Sequence, residues 1–201
     1  AARRSLAKQV SLDRRHLVLY AGTFGRANAI PTLLDAARTL IDARSDVAVA
    51  FVGRGHHAPR VAQAARQHDA IQYLSPLPYP ETLALFERAD LSLVSFRDRP
   101  VLAANAPGKF FDSLAVGTPV VVTNPGWTKR FVERHDCGWF VPPESPDALA
   151  AQIQAVLASP GGLAEARQSA EAAAQRHFDR EAMLDQYAAL VHDVTGPGPA
   201  P

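Results

Sequence analysis

The chain has 201 residues, 47% of them apolar and 20% charged, with a formal net charge of +1. That is enough chain for one large domain with a sizeable core. The charge is too small to draw in nucleic acid or an anionic membrane, so an anion must be held by a local site. The single cysteine, Cys137, excludes an internal disulfide and suits a reducing compartment.

No apolar run nears the roughly 18 residues that cross a bilayer. Residues 1–14 are basic and amphipathic, lack the apolar core of a signal peptide, and read as a helix arriving from elsewhere. With Ala1 first and Met183 the only methionine, a fragment or processed product is expected. From there short apolar runs alternate with helical patterns. The runs are 16–21, 47–52, 71–74, 91–94, 119–123 and 139–141. They are β-branched or aromatic and rarely alternate with polar residues, as strands buried on both faces of a parallel sheet do. Helices are predicted between them at 31–43, 58–68, 80–88, 108–116, 127–135 and 146–157, with Gly117 a good C-terminal stop. Repeated strand–helix–strand units predict an α/β, Rossmann-like, doubly wound parallel sheet of about six strands. Its ligand edge lies at the loops that follow the strands. Residues 161–194 predict two extra Ala-rich helices broken near Phe178 and Asp179, and GPGPAP at 196–201 a disordered tail.

Four of those loops carry chemistry. In Gly22-Thr-Phe-Gly-Arg-Ala-Asn-Ala29, Gly22 and Gly25 let backbone amides approach a phosphate at a helix start; the other reading is a tight strand-to-helix turn. It matches neither the dinucleotide fingerprint nor the Walker loop. In Val52-Gly-Arg-Gly-His-His57, Gly53 opens the backbone and Arg54 can reach an anion or stack on a base. Adjacent His56 and His57 point apart in most backbones and read as a polar loop, not a zinc pair. In Asn105-Ala-Pro-Gly-Lys-Phe-Phe-Asp112, Gly108 opens a helix whose free amides attract phosphate, and Lys109 adds a full charge. Asp112 lies about 4.5 Å further along the axis, placed to accept hydrogen bonds from a ribose diol; a capped helix with a surface Lys–Asp pair is the plainer reading. In Thr123-Asn-Pro-Gly-Trp127, Gly126 could approach a phosphate or sugar, and Trp127 stacks on a sugar face or anchors the core. No nucleophile–base set and no metal motif occurs, so a hydrolase or metalloenzyme is not suggested.

The segments YAGTFGRANA, FVGRG, IQYLSPL, RADLSLVSF, GKFFDSLAVGTPVVV and CGWFVPPESPDALA, in this order, resemble the C-terminal, donor-binding domain of family 4 retaining glycosyltransferases of the GT-B fold. The stretch GKFFDSLAVGTPVVVTNPGW looks like bacterial members that build surface polysaccharides. The resemblance covers residues 15–160. It implies that Lys109 and the amides near Gly108 hold donor phosphate and that Asp112 binds ribose, where the family has the second glutamate of a pair. The backbone from Tyr73 to Leu77 would flank the base, and Gly53 and Arg54 would lie near the nucleotide. Thr23 and Asn28 fall where the family has a diphosphate-binding arginine and lysine, with Arg26 as a substitute. The pair's first glutamate would fall at Ala104 and is absent.

The implied function is sugar transfer from a nucleoside diphosphate, UDP first, to a glycan or lipid-linked acceptor, without a metal or other cofactor. No catalytic residue is assigned. Residues 1–14 become the linker from a missing N-terminal acceptor domain, without which the chain should be inactive. That domain would supply any peripheral membrane contact, in the cytoplasm at the inner membrane face. A sugar-nucleotide epimerase of the same architecture and a non-catalytic nucleotide-binding module are the alternatives. Upstream sequence would separate them.

Overall fold

The structure is a computed structural model that describes residues 15–195. The expectations for residues 1–14 and 196–201 lie outside the described residues. Six strands form one sheet: β1 (His16–Ala21), β2 (Val47–Val52), β3 (Ile71–Leu74), β4 (Leu91–Val94), β5 (Val120–Val122) and β6 (Gly138–Phe140). Their spatial order is β3-β2-β1-β4-β5-β6 and every pairing is parallel.

The helices are α1 (Ile30–Ala43), α2 (Ala58–Gln67), α3 (Tyr79–Arg88), α4 (Gly108–Ala115), α5 (Trp127–His135), α6 (Pro146–Leu157), α7 (Pro160–Phe178) and α8 (Arg180–Thr195). The six strands predicted from the apolar runs are all present. The last two begin or end a residue from the predicted limits. Pro119 has no amide to give to a ladder, but its carbonyl still accepts from Ser92 N at 3.0 Å.

The strands are apolar on both faces because both faces are covered. Val18 and Tyr20 of β1, with Val49 and Phe51 of β2, pack under α1, α2 and α6. Leu17, Leu19 and Ala21, with Ala48 and Ala50, face the other way against α3. Beyond them Val94, Val120 and Val122 meet α4, α5 and α7. In α1 the buried Leu33, Leu34, Ala37 and Leu40 recur at helical spacing and form its sheet-facing stripe; each buried leucine contributes about 2 kcal/mol. Arg167 ties α7 to the sheet: its guanidinium donates to Ala89 O at 2.5 Å and lies 3.5 Å from Asp90. α8 differs from the rest. Met183, Leu184, Tyr187, Leu190 and Val194 recur along it at helical spacing and are all exposed.

The chain winds outward from β1 to β3, then returns to the middle of the sheet and winds outward from β4 to β6. The loops after β1 and β4 therefore diverge and leave a crevice at the carboxyl edge, the place where such sheets bind ligands.

Candidate functional site

A cleft of about 560 Å³ fills that crevice. Gly22 and Gly53 form its floor. The Gly22 amide donates to Val52 O at 2.8 Å and the Gly53 amide to Leu74 O at 3.0 Å, so both continue the ladder past the strand ends. Both have φ of +147°, a region that L side chains rarely adopt. A Cβ on Gly53 would run into the Gly22 carbonyl oxygen. Only glycines keep this floor flat enough for a ligand to lie on it.

Lys109, in the first turn of α4, lies along Gly22: a Cβ there would meet its Cε at 2.9 Å. Its ammonium sits 5.2 Å from the Tyr20 ring centroid and 5.7 Å from that of Phe96. No carboxylate is within ion-pair distance of it among the described residues. Burial therefore pushes its pKa down to about 8. No side chain caps α4, whose N-cap is Pro107; the Phe110 amide turns back to Pro107 O at 2.9 Å, and Gly108 and Lys109 at the helix start line the cleft. A buried amine beside a helix start and a glycine floor offers donors in excess of acceptors and suits an anion.

Asp112, one turn on, closes the other end. Its Oδ1 accepts a hydrogen bond from the Tyr79 hydroxyl at 3.0 Å, and that bond raises the tyrosine's pKa. The plainer reading of a Lys109–Asp112 surface pair does not describe this arrangement, since the carboxylate is engaged by Tyr79 of α3.

Thr23, Asn28, Arg54, Leu77 and Asn105 also line the cleft, with Gly22, Gly53, Gly108, Lys109 and Asp112. The structure does not bring Gly25, Arg26, Tyr73 or Gly126 there. Gly25 starts the short 3-10 turn Arg26–Asn28, accepting from Asn28 N at 3.1 Å. Arg26 points to the opposite side of that turn. The Tyr73 ring packs 5.9 Å from Phe24 under the sheet. Gly126 lies against the Ala103 backbone, where any Cβ would collide with its carbonyl oxygen. Trp127 joins Phe110, Phe111 and Phe131 behind α4, and its Nε1 donates to Asn105 O at 2.9 Å. It thus anchors the core and braces the cleft rim.

Asn124 supports the same rim: its amide nitrogen donates to Leu102 O at 2.7 Å and its oxygen accepts from Gly126 N at 3.0 Å. Pro76, within the stretch from Tyr73 to Leu77 expected beside the base, lines the cleft, whereas sequence reading missed Tyr79, Thr82, Phe86 and Phe96. Of these Tyr79 carried a faint signal, a phenol directly before the Pro80 that opens a helix. Among the described residues no group of three or more His, Cys, Asp or Glu side chains gathers as a metal site, and no helix is long and apolar enough to cross a membrane.

An all-parallel Rossmann-like sheet with a donor-rich cleft at its switch point defines a class of α/β domain that binds ligands at the carboxyl edge. The chain belongs to the family described as Glycosyl transferases group 1, whose model matches residues 15–159. It is 30% identical to the putative colanic acid biosynthesis glycosyl transferase WcaI of Escherichia coli (strain K12), over 96% of this chain and 46% of that protein. Its fold is similar to that of Anabaena Alr3699/HepE in complex with UDP-glucose, with a TM-score of 0.80 at 18% identity, covering 96% of this chain and 52% of that one. It is also similar to the C-terminal domain of the group 1 glycosyl transferase LpcC from Francisella tularensis, with a TM-score of 0.71 at 11% identity, covering 86% of this chain and 92% of that domain. The chain spans about half the length of the curated relatives it matches.

Proposed function

We propose that the chain is the donor-binding half of a retaining glycosyltransferase that moves a sugar from a nucleoside diphosphate, UDP by preference, to a glycan or lipid-linked acceptor. One observation carries this reading: the unpaired Lys109 ammonium, pressed between the Gly22 backbone and the start of α4, one helical turn from a carboxylate. A diphosphate laid on Gly22 and Gly53 meets Lys109 and the α4 amides, and its ribose then reaches Asp112. As the glycosyl bond breaks, charge grows on the departing diphosphate, and those donors stabilise it in place. A fixed ammonium and helix-start amides make a metal unnecessary for this step. Arg54 is the second cation on the cleft wall.

A UDP-glucose complex of HepE, a chain of the same fold, and relatives named as glycosyltransferases support the donor class. The saccharide or lipid body of the acceptor is held mainly by a second, N-terminal domain, and transfer requires both reactants held together. The exposed apolar row of α8 suits contact with that domain. The enzyme would work in the cytoplasm, with any contact to the inner membrane face made through that domain. Titration with UDP, GDP and ADP tests the reading. UDP should bind most tightly, and the absence of binding by all three at about 1 mM would refute it.

A further inference from the structure

The turn Arg26–Asn28 is a partition. Ala27 and Asn28 face the nucleotide cleft, while Arg26 and Ala29 face a separate hollow of about 360 Å³ on its far side. The Arg97 amide donates to Ala27 O at 2.8 Å and fixes the partition to the segment after β4. The hollow is walled by side chains from four loops at the carboxyl edge, Arg26, His56, His57, Arg97 and Glu144, and by Thr32 in the first turn of α1. None of these except Arg26 entered the donor reading drawn from the sequence, and the structure turns Arg26 away from the donor cleft.

The donor count decides what would bind there. Glu144 is the one carboxylate in the wall. Its Oε1 accepts from Arg97 Nε at 3.1 Å and its Oε2 from the Asp98 amide at 3.3 Å. Arg26 has no carboxylate within ion-pair distance among the described residues. The His56 and His57 rings stand edge to face, 4.8 Å between centroids. His57 titrates below the ordinary histidine range, first through burial and then through the charges of His56, Arg60 and Arg26. A neutral sugar would bring hydroxyl protons to a wall whose one carboxylate is already engaged. A phosphoryl group brings oxygens that only accept, and meets a free guanidinium, two imidazoles and the Thr32 hydroxyl.

We infer that this hollow is a second anion subsite that takes a phosphoryl group carried by the acceptor. The assignment to the acceptor rests on the donor reading above; the binding of phosphate does not. A ligand here lies one backbone turn from the donor diphosphate and is held by different residues, so both can be bound at once. The phosphoryl group belongs to a soluble phosphorylated saccharide or to a lipid headgroup.

The test is a titration of the UDP-saturated chain with inorganic phosphate, following the His56 and His57 ring resonances by NMR. Both should move. Arg26→Gln should weaken phosphate by roughly tenfold, the share of one charge-assisted guanidinium contact, and leave UDP affinity unchanged. Glu144→Gln frees Arg97 and should tighten phosphate, a gain that a poorly folded variant would not show. Unmoved histidines, an unaffected Arg26→Gln variant, or displacement of UDP by phosphate would overturn the proposal. Glucose 6-phosphate against glucose, and phosphatidylinositol vesicles against phosphatidylcholine vesicles, separate the two sources. The source is the one whose binding falls in Arg26→Gln, and if neither falls the acceptor assignment is wrong. If UDP does not bind the native chain, the donor reading fails, while phosphate titrated alone still reads the hollow.

Discussion

Replacing Lys109 with methionine should stabilise the chain and weaken its nucleotide binding. The ammonium is held without a counter-ion, and its pKa falls from the ordinary 10.5 to about 8. At 1.36 kcal/mol per pH unit that fall corresponds to about 3 kcal/mol of destabilisation by the charged form. Loss of the contacts with the Tyr20 and Phe96 rings offsets part of it, leaving a net gain of about 1–3 kcal/mol. The sign follows from proton counts. Between pH 8 and 10.5 the unfolded chain holds the proton and the folded chain does not, so native stability rises with pH across that window. The penalty is complete below about pH 8, and the advantage of Lys109→Met should vanish as pH approaches 10.5. Urea unfolding of both proteins at neutral and at alkaline pH measures it, since other titrating groups cancel in the difference. UDP affinity of the variant should fall by roughly 10–100-fold, the worth of a charge-assisted contact to phosphate. A variant less stable than the native chain, or a difference that does not change with pH, would show that Lys109 is not a strained, anion-awaiting cation.

Asp112→Ala should weaken UDP by roughly tenfold while changing pyrophosphate little; calorimetry with both ligands measures this, and equal losses would remove the ribose role. Gly53→Ala should lower stability by about 3 kcal/mol or more, because its φ and the Gly22 carbonyl both exclude a Cβ; a melting temperature within about 2 °C of the native one would contradict the rigid floor. The buried Cys137 thiol, whose pKa burial pushes up to about 12, should resist alkylation at pH 8 until the chain unfolds. Fast modification of the folded chain would show that α5 and β6 open readily.

The sheet was readable because strands covered on both faces carry few polar positions, such as Gln72 in β3 and Ser92 in β4, to blur the pattern. Runs such as VAVAFV at Val47–Val52 and VVV at Val120–Val122 carry that mark. Position along the chain also placed Lys109 and Asp112 one turn apart. What local reading lacked was direction. Within the single turn Arg26–Asn28, Ala27 and Asn28 face the cleft and Arg26 the hollow, an orientation held by the hydrogen bond from the Arg97 amide, distant in sequence, to Ala27 O. Gly126 looked like a ligand glycine until Ala103, distant in sequence, filled the space above it. The Tyr79–Asp112 bond joins residues on different helices and leaves no local trace.

α8 has a further consequence, for behaviour in solution. Met183, Leu184, Tyr187, Leu190 and Val194 lie 51–78% exposed along one helix. A helix of this length is marginal in water without a surface to pack on. The chain on its own therefore presents an adhesive strip that grows more consequential as concentration rises. Self-association through α8 would leave the nucleotide cleft, which lies at the carboxyl edge of the sheet, open. Sedimentation and ligand titration would then give different impressions of the same sample: heterogeneous in mass, uniform in binding.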